Sequence, residues 1–314
     1  MYDVACLGIL VADAIAKTVD SIPDGGKLSF VDQISLHTGG CAANTAIDLS
    51  KIGIRTTLLG KVGSDGFGDF ITGSLKKEGV NTDGLYVKEG INTSASLVLV
   101  AGSGERTFLH CVGSNAELTY EDVNFDIIAK SKILFVGGTN LMPKFDGEPC
   151  SRVLKRAREM GVYTALDTAW DPTGRWMEIV EPCLPYLDLF IPSYDEARMI
   201  AGKDDAEEIA DLFLSKGVKL CVIKLGKEGC FIKNRDGEKH KIPTYLKVKA
   251  VDTTGAGDSF VAGFLAGLIQ GWDLYQCGKF ANATGTHCVM AVGASTGIKS
   301  MNEILEFMGK YEEE

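Results

Sequence analysis

Short runs of Val, Ile and Leu alternate with helix-length segments along almost the whole chain, and several of those segments stop at a glycine. Continuous apolar runs span Asp3–Ile9, Thr56–Val62, Ile133–Gly137, Tyr163–Asp167, Leu187–Pro192 and Leu220–Leu225. Such runs suit strands buried on both faces, as in a parallel sheet covered by helices. Helices are expected over Cys41–Ile52, Phe67–Glu78, Pro149–Met160 and Glu207–Lys216, followed by Gly53, Gly79, Gly161 and Gly217 in the position of a left-handed C-cap. The rhythm predicts an α/β protein with a mostly parallel central sheet. Glycine supplies 37 of 314 residues, well above the usual ~7%, so tight strand-to-helix turns or closely approached backbone are expected.

Four segments break the rhythm. Ala14–Val19, Phe30–Thr38, Ser94–Ala101 and Arg106–Val112 read as half-exposed strands, the last two joined by the turn Gly102-Ser103-Gly104-Glu105. They predict a small antiparallel β lid, formed by about 13–38 and 94–112, over a site on the main sheet. Repeats, Pro-rich linkers and low-complexity stretches are absent from the sequence, so 1–314 is read as one domain with the lid as an insertion. The terminal Glu312–Glu314 is simply acidic.

Charge and thiols narrow the function. With 42 acidic and 32 basic residues the net charge is −10, which argues against nucleic acid as partner while leaving room for a local anion site made of backbone amides. The apolar stretch Val4–Ala12 lacks a basic leader and the length of a membrane span, so neither secretion nor a membrane is expected and the chain is read as cytoplasmic. Nine scattered cysteines without C-x-x-C spacing fit reduced thiols, and four histidines make no zinc pattern.

The most informative segment is Val251-Asp252-Thr253-Thr254-Gly255-Ala256-Gly257-Asp258-Ser259-Phe260. Phe260, Val261, Phe264, Leu265 and Leu268 make an apolar helical stripe, which sets Gly255, Ala256 and Gly257 at the start of a buried helix. Free amides there form an anion hole, and Asp258 one turn in is placed to take a proton from an attacking hydroxyl. A capped helix with an acidic first turn accounts for the same residues structurally.

Asp252-Thr253-Thr254-Gly255-Ala256-Gly257-Asp258 resembles the C-terminal signature of the PfkB, or ribokinase-like, family of carbohydrate kinases. Gly39-Gly40-Cys41-Ala42-Ala43-Asn44 is similar to that family's N-terminal signature, and Asp13 matches an early Asp that binds sugar hydroxyls. Two rare motifs about 210 residues apart are far more specific than a lone glycine-rich loop. The resemblance implies a three-layer αβα ribokinase-like fold and transfer of the ATP γ-phosphoryl group to a sugar hydroxyl, with Mg²⁺. Asp258 would be the base and Gly255, Ala256 and Gly257 the anion hole. Asp13, Gly39, Gly40 and Asn44 would line the sugar site. Lys224, Gly226, Gly229, Thr254 and Asn282 would line the nucleotide site. Asp252, with the Gly293-Ala294-Ser295 loop, corresponds to the place where many relatives hold a monovalent cation such as K⁺. Many relatives also form dimers through the lid.

The sequence departs from the family twice. Ser193-Tyr194-Asp195-Glu196 stands where Asn-x-x-Glu is common; Glu196 is assigned to Mg²⁺ through water, although Ser-x-x-Glu is also a capping box. Asp167-Thr168-Ala169-Trp170-Asp171 lacks the usual Asn and Arg, so a cationic contact to an acidic sugar is missing; Arg106 is the candidate replacement, and Asn140 a candidate specificity residue. A nucleoside kinase of the same fold and a non-catalytic sugar sensor are the alternatives. No G-x-x-x-x-G-K-[ST] occurs, and Gly293-Ala294-Ser295-Thr296-Gly297 has no histidine after it to complete a hydrolase triad.

Overall fold

The computed structural model describes residues 1–312; Glu313 and Glu314 of the acidic tail lie outside the described residues. Its strands are β1 (Tyr2–Gly8), β2 (Val11–Lys17), β3 (Gln33–Gly39), β4 (Thr56–Gly63), β5 (Asn81–Lys88), β6 (Ala95–Val100), β7 (Arg106–Cys111), β8 (Ser131–Thr139), β9 (Tyr163–Thr168), β10 (Leu189–Phe190), β11 (Leu220–Lys224), β12 (Cys230–Asn234) and β13 (Lys239–Ile242). Nine of these form one sheet in the order β13-β12-β11-β10-β9-β8-β1-β4-β5, and four form a second in the order β3-β2-β6-β7. From β11 to β5 every pairing in the large sheet is parallel; β12 and β13 close it with antiparallel hairpins.

Alternation along β1 builds the layers. Val4 and Cys6 join a core with the Cys41–Ile52, Ala256–Gln270 and Leu274–Val289 helices. Ala5 and Leu7 point to the opposite core, against the Glu148–Glu159 and Ala206–Ser215 helices. Helices on both faces of a largely parallel sheet give the expected αβα layering.

The elements follow the sequence reading with defined exceptions. Within the run Leu187–Pro192 the regular strand is only Leu189–Phe190, although Asp188 N and Ile191 N still donate to Thr164 O and Leu166 O and Pro192 O accepts from Lys224 N. In the small sheet β2 begins at Val11 and β3 at Gln33, and β2 pairs parallel with β6 between two antiparallel pairs. The chain reaches β2 directly from β1. Asn115 fixes that junction: its Oδ1 accepts from Leu10 N and its Nδ2 donates to Leu10 O, at 3.1 and 3.0 Å.

Candidate active site between the two sheets

The Ala256–Gln270 helix carries the centre of the site. Its N-cap Gly255 has φ 78°, and a Cβ there would lie 2.5 Å from the Ala294 carbonyl oxygen. Glycine is therefore required both by conformation and by space. Asp258 is half-buried in the first turn, and its Oδ2 accepts from Asn44 Nδ2 at 2.8 Å. Burial pushes this carboxyl above its usual range, opposed by Asn44 and Lys224.

Asn44 sits on the Cys41–Ile52 helix, 5% exposed, and its Oδ1 has no partner among the described residues. A buried amide oxygen left unpaired beside a carboxylate is a ready acceptor for a ligand hydroxyl. The two glycines before this helix are set by their neighbours. A Cβ on Gly39 would stand 2.2 Å from Asp13 Oδ2, and Gly40 has φ 96°, where a Cβ would stand 2.5 Å from Ile9 O. Burial raises the Asp13 carboxyl above its usual range, against Ser96, His110 and His37, which face it across the small sheet. Asn140 adopts φ 90° at the end of β8; its Nδ2 donates to Ala169 O at 2.9 Å and its buried Oδ1 has no partner among the described residues.

Two cavities meet at this helix. One of about 480 Å³ is lined by Cys41, Asp167, Glu196, Lys224 and Asp258. The other, about 320 Å³, runs along Gly226, Gly229, Tyr245, Gly257 and Asn282. Lys224 and Gly257 border both. Lys224 Nζ pairs with Asp167 Oδ2 at 2.5 Å, and a Cβ on Gly257 would approach Nζ to 3.6 Å. Burial pushes Asp167 up to about 7, while Asp167 and Glu196 keep Lys224 charged despite its own burial.

The other expected residues are placed as follows. Glu196 Oε2 accepts from Ser193 N and Thr168 Oγ1, both at 3.1 Å, so Glu196 closes a capping box while facing the larger cavity. Asn282 borders the smaller cavity, but its Nδ2 is tied to the carbonyls of Ile242 and Pro243. Gly229 has φ 94° and would bring a Cβ to 1.9 Å from Ile242 O, which fixes the β11–β12 turn against that wall.

Arg106, the candidate contact to an acidic sugar, lies on β7 of the small sheet. It reaches across to Asp252, Nη2 to Oδ2 at 2.9 Å, and also donates to Thr254 Oγ1. Against the upward push of burial, Arg106 and the N–H groups of Gly293 and Thr254 hold Asp252 well below the usual carboxylate range. Asp252 thus takes a positive partner from the small sheet. Asp167 was not among the expected site residues; its position at the C-terminal end of a parallel strand is where open α/β sheets bind ligands.

Comparisons with known proteins agree with this architecture. The family model described as pfkB family carbohydrate kinase matches residues 1–301. A curated relative, an uncharacterized sugar kinase of Archaeoglobus fulgidus, is 32% identical, covering 80% of this chain and 97% of its own length. Probable fructokinase-5 of Arabidopsis thaliana is 31% identical over 88% of this chain and 90% of its own. The crystal structure of a ribokinase from Thermotoga maritima superposes with TM-score 0.83 at 27% identity, covering 98% of this chain and all of that one. A family model spanning nearly the whole chain, together with this fold, makes the protein a member of the pfkB family of carbohydrate kinases, enzymes that transfer a phosphoryl group to an alcohol.

Proposed function

We propose that the chain transfers the γ-phosphoryl group of ATP to a hydroxyl of a small sugar or sugar derivative held between the two sheets. The observation that carries this reading is Asp258, in the first turn of a buried helix where the two cavities meet, with its carboxyl above the usual range. A base poised closer to neutrality takes the hydroxyl proton as the oxygen attacks phosphorus and ADP leaves. In this reading the amides of Gly255, Gly257 and Asp258 and the charged Lys224 stabilise the negative charge that grows, while Ala256 N–H is held by Thr253 O. The 320 Å³ cavity fits the nucleotide, its glycine-bordered wall letting the backbone approach. The unpaired Oδ1 of Asn44 and the carboxylate of Asp13 suit sugar hydroxyls, and Asn140, with its unpaired Oδ1, is the residue assigned to specificity.

Four carboxylates, Asp167, Asp195, Glu196 and Asp258, border the larger cavity; with Asp167 paired to Lys224 and Asp258 held by Asn44, Glu196 is the one assigned to Mg²⁺ through water. Few protein ligands beside substrate phosphates is the donor set Mg²⁺ takes, and when bound it neutralises phosphate charge. Arg106 and Thr254 belong, in this reading, to the link between the small sheet and the anion loop, so the sheet acts as a lid that excludes competing water. No helix among the described residues is long and apolar enough to cross a membrane. Nine free thiols, seven of them buried, suit a reducing, cytoplasmic compartment.

The test is ADP release from ATP and Mg²⁺ across pentoses, hexoses, ketodeoxy acids and nucleosides. Asp258→Asn is expected to keep ligand binding and lose turnover by at least about a hundredfold. Near wild-type turnover in that variant overturns the assignment, and selective turnover of a nucleoside would move the acceptor to that class. Binding of a sugar without any ADP release would leave a sensor.

A further inference from the structure

Beneath the first turn of the Ala256–Gln270 helix, the Asp48 carboxyl faces Ser295, and Asp48 Oδ1 and Ser295 Oγ are buried without any well-formed hydrogen bond to another described residue. Asp48 is fully buried and has no role in the function proposed above. It lies one turn beyond Asn44 on the Cys41–Ile52 helix, so Asn44, Asp48 and Lys51 share a face. Each reaches a different part of the machinery. Asn44 Nδ2 donates to Asp258 Oδ2 at 2.8 Å; Ser259 Oγ donates to Asp48 Oδ2 at 2.6 Å; Lys51 Nζ donates to Ser295 O at 2.9 Å.

The three contacts join one helix to both loops that shape the anion hole. Ser259 directly follows Asp258, and Ser295 belongs to the loop whose Ala294 closes on Gly255. Cys288 ties the same loops from the far side, its Sγ donating to Thr254 O and Ala294 O at 3.2 Å each. An apolar residue at position 48 would fill the space equally well but could not hold Ser259, whose hydroxyl would keep only the weak partner Cys288 Sγ.

We propose that Asp48 is a positioning residue for the transfer: braced on Ser259, its carboxyl sets Asp258 and the neighbouring amides in the orientation the reaction uses. This rests on the reading of Asp258 as base. The groups facing Asp48 are Asp258 and Ser259 above it, Lys51 on its own helix, and Ser295 and Cys288 from the closing loops. Burial pushes Asp48 up to about 8, with Asp258 adding in the same direction against Ser259, Ser295 and Lys51. The neutral acid is thus the working form, and its ionisation places a second negative charge beside the base.

The experiment is steady-state turnover from pH 6 to about 9, bracketing that ionisation, for wild type, Asp48→Ala, Asp48→Asn and Asp258→Asn. Asp48→Ala is expected to lose kcat by about 10²-fold, the scale of a small misplacement of a reacting group, with little change in either KM. Asp48→Asn, an isostere of the neutral acid, restores most of that loss and abolishes the fall in wild-type kcat as pH passes about 8. Wild-type kcat in Asp48→Ala, or an unchanged alkaline fall in Asp48→Asn, overturns the inference; if the alanine variant fails to fold, the asparagine profile decides. Near wild-type turnover in Asp258→Asn refutes the base reading and the inference with it, whereas an inactive Asp258→Asn beside an unimpaired Asp48→Ala refutes the inference alone.

Discussion

Asp13, Gly39, Asn44 and Asp258 form a chain of mutual constraint: each is the residue it is because of what stands next to it. Gly39 leaves room for the Asp13 carboxylate, and Asn44 spends one amide hydrogen on Asp258 while keeping its oxygen free. These contacts were legible as motifs but not as geometry, since Asn44 and Asp258 lie 214 residues apart. Asp48 carried no signal in the sequence, where a single acid in a helix reads as surface. Its burial has a thermodynamic consequence. The native carboxyl keeps its proton to about pH 8, whereas an unfolded aspartate releases it near 3.8. Between those values the native state binds more protons, so the contribution of Asp48 to stability is full below 3.8 and is lost as pH rises towards about 8. Thermal melting of wild type should therefore decline relative to Asp48→Asn across that window; parallel melting curves would refute the raised pKa.

At the scale of elements, legibility followed burial. The Cys41–Ile52 helix matches its sequence reading at both ends, because a glycine pair precedes it and Gly53 adopts φ 103° after it. β5, β12 and β13 escaped notice: β5 is an edge strand with a mixed buried and exposed pattern, Lys239–Ile242 is mostly polar, and β12, although Cys230, Phe231 and Ile232 are buried, offers an apolar run of only three residues. An edge strand buries too little to impose a continuous apolar run. Ser193–Glu196 illustrates the opposite case, a motif with two meanings. Its capping box forms in full, Ser193 Oγ accepting from Glu196 N, while Glu196 also faces the larger cavity. The two roles separate by measurement. Ser193→Ala should cost about 1 kcal/mol in urea denaturation, the usual worth of such a cap. Unchanged stability would mean that the serine is retained for the cavity rather than for the helix.

The small sheet meets the loop before the Ala256–Gln270 helix through Arg106, beside the site proposed above, and it has two unlike faces. Cross-strand register puts His37, Asp13, Ser96 and His110 in one row, and Leu36, Ala14, Leu97 and Leu109 in the next. Adjacent residues of a strand point to opposite faces. The face bearing Asp13 and Arg106 therefore turns to the site, and the leucine row turns away from it. Leu97 is 42% exposed and Leu109 58%. A contiguous apolar row across four strands, with β3 and β7 as open edges, is a surface that soluble proteins cover. A second copy meets that need most simply, since a two-fold axis covers the same row on both protomers. We propose a homodimer through the small sheet. Sedimentation velocity at micromolar protein should return a dimer, and Leu109→Asp should return a folded monomer, because a carboxylate in the middle of the row is desolvated only on association. A wild-type monomer under those conditions, or a dimer that survives the substitution, would assign the leucine row to some other contact. Because Arg106 lies on β7 and holds Asp252, the monomeric variant also reads the coupling between assembly and site. If dimerisation steadies the small sheet, the substitution lowers sugar turnover together with association; if turnover stays intact, each subunit closes its own chamber unaided.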